Sequence, residues 1–534
     1  MSASPSRARL TSGQLVLIVV LLAAQFLLRT YQPLKQPAFV DENYHVRRGE
    51  IAYDFDRNPV EFSNGKLLFY YWLGLFAPHG DSALAVGRLA VALFSLITSA
   101  AIMALARALF GRAAMVPALA LYALAPYAVF FERMALADPF AGGLAALTAW
   151  QSVRLARAES PSRACGALVG LLVAVTTFAK LTTAPIAALP LAAGIFYSDV
   201  TLPPRNRTAI KHWAGLLWRR YRRAWIPAAL VIVMLWGLFL AGMAAYKLSG
   251  EQPKFFTQHL VDEPGASSVA DNIEDTIDAA SDYLSAPVVI TLFLFTLLLL
   301  WQHPASGRFL LVWLLALWLP TTIFGSPVQT RYLMAGIPAL AVIFGGGMVT
   351  LSRLSNRRVI DGLLAALLIA WAALYAMPFG WRAMTDPASL PLPRNDTYSY
   401  LSGPYAGWGT REALTFLREN GERIPVTSDD GDVSEQIPAV GVLQHCGSIS
   451  LHVTDDFMWT CVDAKNFPIG AIPADVREWS PLLEALETWP FVYLVTEFAG
   501  SDTEDLAQTW ELVYASSRPL GGWTVAVWRI TPSD

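Results

Sequence analysis

A dense group of titratable side chains stands in the stretch "PAFVDENYHVRRGE" at residues 37–50, shortly after the apolar run "LVLIVVLLAAQFLLRT". If this stretch is helical, Asp41 and His45 lie one turn apart on the same face, and Glu42 stands beside them. A carboxylate held in this way can accept a proton from a hydroxyl group, which is the task of a general base. The stretch is therefore either part of a reactive site or an ordinary solvated loop.

Other charged residues stand where short polar segments border apolar runs, and they comprise Lys66, Arg133, Asp138 and Arg331. Lys66 precedes the aromatic run "LLFYYWLGLF", which is too short to cross a bilayer and is suited to lie along the membrane interface. Its Tyr70 and Tyr71 are either interfacial anchors or residues of a binding pocket. Any one charge at such a border is explained by a solvated helix end. Asp41, Lys66 and Asp138 taken together favour a functional site.

The composition is that of a membrane protein with many spans. Only 15% of the 534 residues are charged and 54% are hydrophobic, whereas soluble domains carry about 25% charged residues. Apolar runs long enough to cross about 30 Å of hydrocarbon predict eleven spans, at residues 14–28, 83–109, 113–130, 137–155, 164–179, 181–197, 224–246, 284–302, 307–324, 332–350 and 360–377.

The loop charges predict the orientation of these spans. Lys and Arg are concentrated in every second connection, and the positive-inside rule places those connections in the cytoplasm. The alternate connections are acidic, as is the polar stretch from residue 380 onward. We therefore predict a multi-pass protein of the cytoplasmic membrane with its N-terminus inside. The long first loop, about residues 30–81, and the C-terminus are then outside.

Residues 1–379 are predicted to form the membrane domain, and residues 380–534 a small soluble domain outside the membrane. "REALTFLREN" has the spacing of a helix, whereas "FVYLVTEF" and "GGWTVAVWRI" are typical of strands, so this domain is α/β or α+β. It contains Cys446 and Cys461. Outside the cell the two thiols either pair as a disulfide or remain free, and their spacing does not decide between these states.

Four short motifs carry a resemblance to a known family: "VDENYH", "NGKLLFYYWL", "RMALADPF" and "TRYLMAGIPAL". In their order and their placement on the outer face they resemble the GT-C glycosyltransferases. The branch that they resemble contains protein O-mannosyltransferases, lipid A aminoarabinose transferases and their bacterial relatives. This implies a polytopic α-helical GT-C membrane domain. The segment "YSYLSGPYAGWGTREAL" is similar to the start of outer domains in some bacterial relatives, and no role follows for it.

The resemblance also implies roles for individual residues. Asp41 is the implied general base, Glu42 supports it or contacts the acceptor, and Asp138 is the second acid of the pocket. Lys66 is the implied contact to the donor phosphate, although relatives often have Lys-Pro-Pro where this chain has "KLL". The remaining assignments are Arg331 and Arg133 to the phosphate, and His45, Tyr70 and Tyr71 to the acceptor and donor pocket.

The implied reaction moves a hexose or pentose from a polyprenyl-phosphate donor to a lipid, glycan or protein acceptor on the outer face. Phosphate is a good leaving group, so positive charge near its oxygens and one base on the acceptor hydroxyl are sufficient. Direct displacement without an enzyme nucleophile predicts inversion at the anomeric carbon.

Asp41, Glu42, His45 and His259 carry atoms that could bind a metal, but they show no paired ligand spacing such as H-E-x-x-H, so no metal is predicted. No cofactor and no nucleic-acid partner are predicted either. The alternative function is a lipid or glycolipid transporter, or flippase. Transporters tend to show inverted repeats and charges at mid-membrane, whereas the charges here stand at the ends of spans. A non-catalytic scaffold that presents the acidic outer domain is a third interpretation.

Overall fold

The structure is a computed structural model that describes residues 10–198, 207–250, 269–324, 329–354, 357–427, 433–449, 451–453, 455–463, 480–499 and 511–531. Helices dominate its first 385 residues: α1 (Ser12–Thr30), α2 (Val40–Glu50), α3 (Pro59–Phe62), α4 (Leu67–Gly74), α5 (Ala83–Phe110), α6 (Met115–Leu124), α7 (Pro126–Glu132), α8 (Ala137–Ala156), α9 (Arg163–Ala179), α10 (Ala188–Tyr197), α11 (Arg207–Leu248), α12 (Val269–Leu284), α13 (Ala286–Gln302), α14 (Pro304–Phe324), α15 (Ile337–Leu354), α16 (Arg357–Trp371) and α17 (Met377–Thr385). Two 3₁₀ helices, Leu181–Ala187 and Thr330–Gly336, precede α10 and α15.

The apolar helices confirm a membrane fold, while the number of spans stays a prediction. Within the described residues, six helices are long and apolar enough to cross a bilayer, and eight spans result if each of two bent helix pairs counts as one. The helices α9 and α10 are apolar but shorter. Residues 1–9, 199–206 and 251–268, which hold part of the loop charges used to predict the orientation, lie outside the described residues.

A bend interrupts or shortens the helix at two of the predicted spans. The predicted span 113–130 consists of α6 and α7, which meet at an angle of 57°. Pro126 begins α7 and lacks a backbone N–H, and Ala125 before it is extended with ψ 122°, as expected for a residue that precedes proline. Where the sequence predicts a span at 284–302, the helix α13 begins at Ala286. Ser285 has φ +73° and separates α12 from α13.

The contacts divide the chain into two units. The membrane unit comprises Met1–Tyr31, Ile51–Leu75 and Arg88–Met384, and the C-terminal unit comprises Gln32–Glu50, Phe76–Gly87 and Thr385–Asp534. Parts of the first outer loop, including α2, thus belong to the same unit as the C-terminal residues. The boundary at residues 379 and 380 stays a prediction from the sequence.

The C-terminal unit contains a mixed sheet with helices on both faces. Its helices are α18 (Arg394–Thr397), α19 (Thr410–Asn420) and α20 (Ser480–Thr488), and its strands are β1 (Ile424–Thr427), β2 (Val433–Leu443), β3 (Phe457–Asp463), β4 (Val492–Ala499), β5 (Glu511–Ser517) and β6 (Trp523–Ile530). The strand order is β1-β2-β4-β6-β5. The strand β2 pairs in parallel with β3 and β4, whereas the pairs β1–β2, β4–β6 and β5–β6 are antiparallel.

Alternating side chains of the sheet enter two cores. Ile437 and Ala439 of β2 pack with α19 on one face, while Val440 and Val442 pack with Leu482 of α20 on the other. This alternation follows from the two-residue period of a strand. The small sheet domain predicted from the sequence is therefore confirmed. The structure has a disulfide between Cys446 and Cys461, which joins the turn after β2 to β3.

Candidate functional site

An ion pair within the membrane unit forms the centre of the candidate site. Asp138 lies in the first turn of α8, where the helix dipole favours an anionic side chain. Its Oδ1 accepts a hydrogen bond from the Nζ atom of Lys180. The side chain of Asp138 is only 5% exposed and that of Lys180 only 7%. A buried pair of this kind is stable only as a pair, because either charge alone is costly in a low-dielectric surrounding.

Lys180 stands at a break between two apolar helices. It follows the last residue of α9, has an extended backbone with φ −162° and ψ 121°, and donates its own N–H to the carbonyl of Thr176. The hydroxyl of Thr183 donates to the carbonyls of Thr176 and Lys180 at 2.9 and 2.7 Å. This break directs an ammonium group into the interior of the unit. A lone lysine between the predicted spans 164–179 and 181–197 was a detectable signal of function, and sequence reasoning missed it.

Lys66 is linked to the same break through a tight turn. Asn64 and Gly65 have positive φ values of 39° and 68°, and the carbonyl of Gly65 accepts the N–H of Leu181 at 2.9 Å. Lys66 is the residue before α4, and Leu67 is the first residue of that helix. First-turn positions also tolerate proline, because their N–H groups have no acceptor within the helix. The "KLL" sequence is therefore compatible with the turn that a Lys-Pro-Pro sequence favours.

Arg331 enters from the 3₁₀ helix Thr330–Gly336, which packs against α8. A side chain at Gly142 of α8 would come within 3.2 Å of the carbonyl of Met334, so the two segments are in close contact. Tyr332 lies near both cations: its ring centroid is 3.8 Å from the Nζ atom of Lys180 and 5.4 Å from the guanidinium carbon of Arg331. Such contacts stabilise cations at the face of an aromatic ring.

Lys66, Lys180 and Arg331, together with Asp138, are called the cation cluster below. The charges of Lys66 and Arg331 both act electrostatically on the ammonium group of Lys180. Lys180, Arg331 and Asp138 are almost completely buried, while Lys66 is half-buried. Three cations and one carboxylate leave two net positive charges, and the arrangement is suited to bind an anion such as a phosphate.

The tyrosines after Lys66 differ in exposure. Tyr70 is completely buried, and its ring packs near Phe62 and Phe69. Tyr71 is half-buried, and its carbonyl accepts the hydroxyl of Tyr53 at 3.2 Å. Burial, and to a lesser extent Tyr53, raises the pKa of Tyr71. Their assignment to an acceptor or donor pocket stays a prediction.

Arg133 has contacts typical of a structural role. Its guanidinium donates to the carbonyls of Leu28 and Tyr31 at 2.6 and 3.0 Å, which satisfies acceptors at the C-terminal end of α1. Glu132, its neighbour, is completely buried and pairs with Arg29 of α1 at 2.5 Å. The assignment of Arg133 to the phosphate stays a prediction, although these contacts engage it with α1.

The predicted base lies in the C-terminal unit. The stretch that follows Phe39 is helical as α2, which places Asp41 and Glu42 in its first turn and His45 one turn after Asp41. The Oε2 atom of Glu42 accepts the N–H of Phe39 at 3.0 Å. Glu42 and His45 are buried, whereas Asp41 is half-buried. A half-buried carboxylate can exchange protons with a reactant while its surroundings still restrict its orientation.

The candidate residues therefore form two groups. The membrane unit contains Lys66, Asp138 and Arg331 with the additional Lys180, and the C-terminal unit contains Asp41, Glu42 and His45. Among the residues that the structure describes, no three His, Cys, Asp or Glu side chains are arranged to hold a metal ion. The histidine at position 259, which the sequence analysis considered as a ligand, lies outside the described residues.

No protein-family profile and no curated protein matches the chain. Solved structures do. ArnT from Cupriavidus metallidurans bound to undecaprenyl phosphate matches with a TM-score of 0.59 at 16% identity, over 98% of this chain and 100% of that one. The structure of ArnT from Cupriavidus metallidurans in the apo state matches with a TM-score of 0.57 at 17% identity, over 98% of this chain and 99% of that one. The arabinofuranosyltransferase AftD from Mycobacteria matches with a TM-score of 0.50 at 14% identity, over 99% of this chain and 40% of that one. At these identities the likeness is one of fold.

Proposed function

We propose that this chain, which has the fold of the GT-C membrane glycosyltransferases, transfers a sugar from a polyprenyl-phosphate donor to an acceptor hydroxyl at the outer face of the membrane. The observation that carries the proposal is the cation cluster, in which Lys180 pairs with the buried carboxylate of Asp138. Tyr332 lies against both Lys180 and Arg331, and the turn before Lys66 is bonded to the residue after Lys180. ArnT of the same fold was solved with undecaprenyl phosphate bound, which supports a donor of this class.

The positive charge of the cation cluster matches the negative charge of the released polyprenyl phosphate better than that of the intact donor. A phosphodiester donor carries one negative charge, whereas a released phosphate monoester carries about 1.5 to 2 at pH 7. The cluster has a net charge of two positive. Its attraction to the phosphate therefore grows as the bond to the sugar breaks, and only interactions that strengthen in the transition state accelerate a reaction.

We assign proton transfer to Asp41. The acceptor hydroxyl is a weak nucleophile, and a carboxylate that removes its proton contributes about 10²–10⁴-fold to the rate. Oxygen of the acceptor then attacks the anomeric carbon while the phosphate leaves from the opposite side. This single displacement inverts the anomeric configuration. Glu42, through its bond to the N–H of Phe39, stabilises the start of the helix that presents Asp41.

The proposal also includes an orientation. The N-terminus lies in the cytoplasm and the C-terminal unit lies outside, as the loop charges predict. Labelling of single cysteines with a membrane-impermeant reagent tests this orientation at two exposed residues, Asp81 and Lys211. Asp81→Cys should react in intact cells, whereas Lys211→Cys should react only after the cells are permeabilised. The reverse pattern would contradict the orientation and leave the reaction itself untouched.

The test of the reaction uses radiolabelled polyprenyl-phosphate sugars. The purified chain is reconstituted with membranes of the source cell that have been depleted of it, because these membranes supply the acceptors. We compare the wild type with Asp41→Asn and with Asp81→Asn, an exposed acid of the same outer loop. Wild type and Asp81→Asn should transfer label equally, and Asp41→Asn should lose about 10²–10⁴-fold.

Each outcome has a distinct meaning. Equal transfer by Asp41→Asn and the wild type would contradict the assigned base, and a product with retained configuration would contradict single displacement. Donor that crosses the bilayer without transfer would replace the proposal with the flippase function. Absence of transfer from every hexose and pentose donor would refute the reaction.

A further inference from the structure

The segment 398–409, "YSYLSGPYAGWG", borders the start of α2 within the C-terminal unit. The N–H of Val40, the first residue of α2, donates to the carbonyl of Tyr405 at 3.1 Å. The ring of Phe39 lies 4.5 Å from that of Tyr400. Main chain and side chains of this segment therefore hold the residues that directly precede Asp41.

Gly407 brings the two backbones close together. Its φ is +67°, and a Cβ atom at this position would lie 2.5 Å from the carbonyl oxygen of Ala38 and 3.2 Å from the Cβ atom of Pro37. The first of these contacts is with backbone, which cannot move aside as a flexible side chain can. Only glycine fits both the conformation and the space.

The segment is itself fixed to the sheet by Arg518. This completely buried arginine donates to the carbonyl of Gly403 at 2.6 Å and to that of Trp408 at 2.8 Å. It also forms a buried ion pair with Glu497 of β4. A continuous set of polar contacts thus connects the core sheet to the residues around Gly407.

A second contact holds the middle of α2. The Oδ1 atom of Asn43 accepts the N–H of Leu451 at 3.2 Å. A side chain at Gly447, in the turn Cys446–Ser448, would come within 2.8 Å of the ring of Tyr44. The disulfide-linked turn after β2 therefore packs closely on the helix that carries Asp41.

We propose that the segment 398–409 orients the Asp41 carboxylate, and that Gly407 and Asn43 are positioning residues for the proton transfer. This inference rests on the proposed function and adds a role for the C-terminal unit, which is to hold the base. Gly407 acts through the backbone of residues 37–40, and Asn43 acts through the orientation of α2.

The experiment compares Gly407→Ala with Gly521→Ala. Both glycines have nearly the same φ, +67° and +75°, but a Cβ atom at Gly521 would meet nothing within 4 Å. Displacement of Asp41 in Gly407→Ala should lower kcat about 100-fold and leave the KM for the donor unchanged. Amide hydrogen exchange in residues 40–50 should become faster in Gly407→Ala than in Gly521→Ala.

A second pair of variants serves if Gly407→Ala fails to fold. Asn43→Asp keeps an oxygen acceptor for the N–H of Leu451, whereas Asn43→Leu removes it. Asn43→Leu should show the larger loss of kcat and the faster exchange in α2. Equal kcat and equal exchange within each pair would overturn the inference, as would a loss that falls on the donor KM alone.

The exchange measurement separates this inference from the proposed function. If the wild type transfers no sugar, the proposed function fails. Amide hydrogen exchange in residues 40–50 that becomes faster only in Gly407→Ala and Asn43→Leu would still show that these residues restrain α2. Unchanged exchange would refute that restraint. If the wild type is active and exchange increases while kcat is unaffected, the positioning role is refuted although the proposed function stands.

Discussion

The ion pair of Lys180 with Asp138 gives the sharpest prediction for stability. Lys180→Met keeps an apolar stem of similar length but leaves the Asp138 carboxylate in its buried site. Removal of one partner from a buried pair costs about 3–5 kcal/mol, because an uncompensated charge remains. Adding Asp138→Asn removes that charge, so the double variant should regain about 2–3 kcal/mol of the loss.

Unfolding in mixed micelles by titration with SDS measures these free energies, and the 18 tryptophans provide the fluorescence signal. Lys211→Met, at an exposed lysine of α11, is the matched control and should unfold like the wild type. Sugar transfer should remain low in the double variant, since part of its stability returns but the cation does not. A double variant as unstable as Lys180→Met, or a Lys180→Met variant as stable as the control, would refute the reasoning.

Three further predictions concern other residues. Lys66→Met should lower kcat/KM about 10- to 150-fold, because it removes a charge-assisted hydrogen bond that contributes about 1.5–3 kcal/mol. Transfer from labelled donor measures this loss. Glu132→Gln leaves Arg29 buried without its counter-charge and should lower the free energy of unfolding by about 3–5 kcal/mol in the same SDS titration. Replacing Cys446 and Cys461 by Ser opens a loop with a sequence separation of 15. This change should destabilise the C-terminal unit by about 3 kcal/mol, measured by hydrogen exchange of its strands.

Each of these predictions has a control and a contradicting result. Lys35→Met removes an exposed cation of the outer loop and should leave kcat/KM intact; an equal loss in both lysine variants would contradict a specific phosphate contact. Glu159→Gln, also exposed, is the control for the buried glutamate. For the disulfide, protection of β4 and β6 that is unchanged in the Ser variants would show that the bond adds no stability.

The sequence predicted the fold well because membrane spans and strands leave strong apolar patterns. Whether residues 37–50 are helical was left open by the sequence analysis. The structure has a helix there, and Asp and Glu at its start and Arg near its end are favourable positions for these charges. The bends at Ala125 and Ser285 were not predicted. Ala125 precedes Pro126 within a continuous apolar run, whereas the bend at Ser285, with its positive φ, lies between an acidic helix and an apolar one.

Long-range placement is where the sequence reasoning ended. Lys180 lies between the predicted spans 164–179 and 181–197, and its partner Asp138 is 42 residues away in the chain, so no local pattern indicates the pair. The outer loop was assigned to the membrane domain as a whole. Its residues 32–50 nevertheless belong to the C-terminal unit, through pairs such as Val40 with Tyr405 that are far apart in sequence.

The buried pair of Arg29 with Glu132 has a consequence for biosynthesis. Arg29 enters the bilayer with α1, but its counter-ion follows 103 residues later in the chain. At about 5–20 residues per second, the arginine is made about 5–20 s before its partner. During this interval α1 has to keep the guanidinium near the lipid headgroups. We therefore expect chains arrested before Glu132 to hold α1 closer to the membrane surface than the finished protein does, which glycosylation mapping of arrested chains can measure.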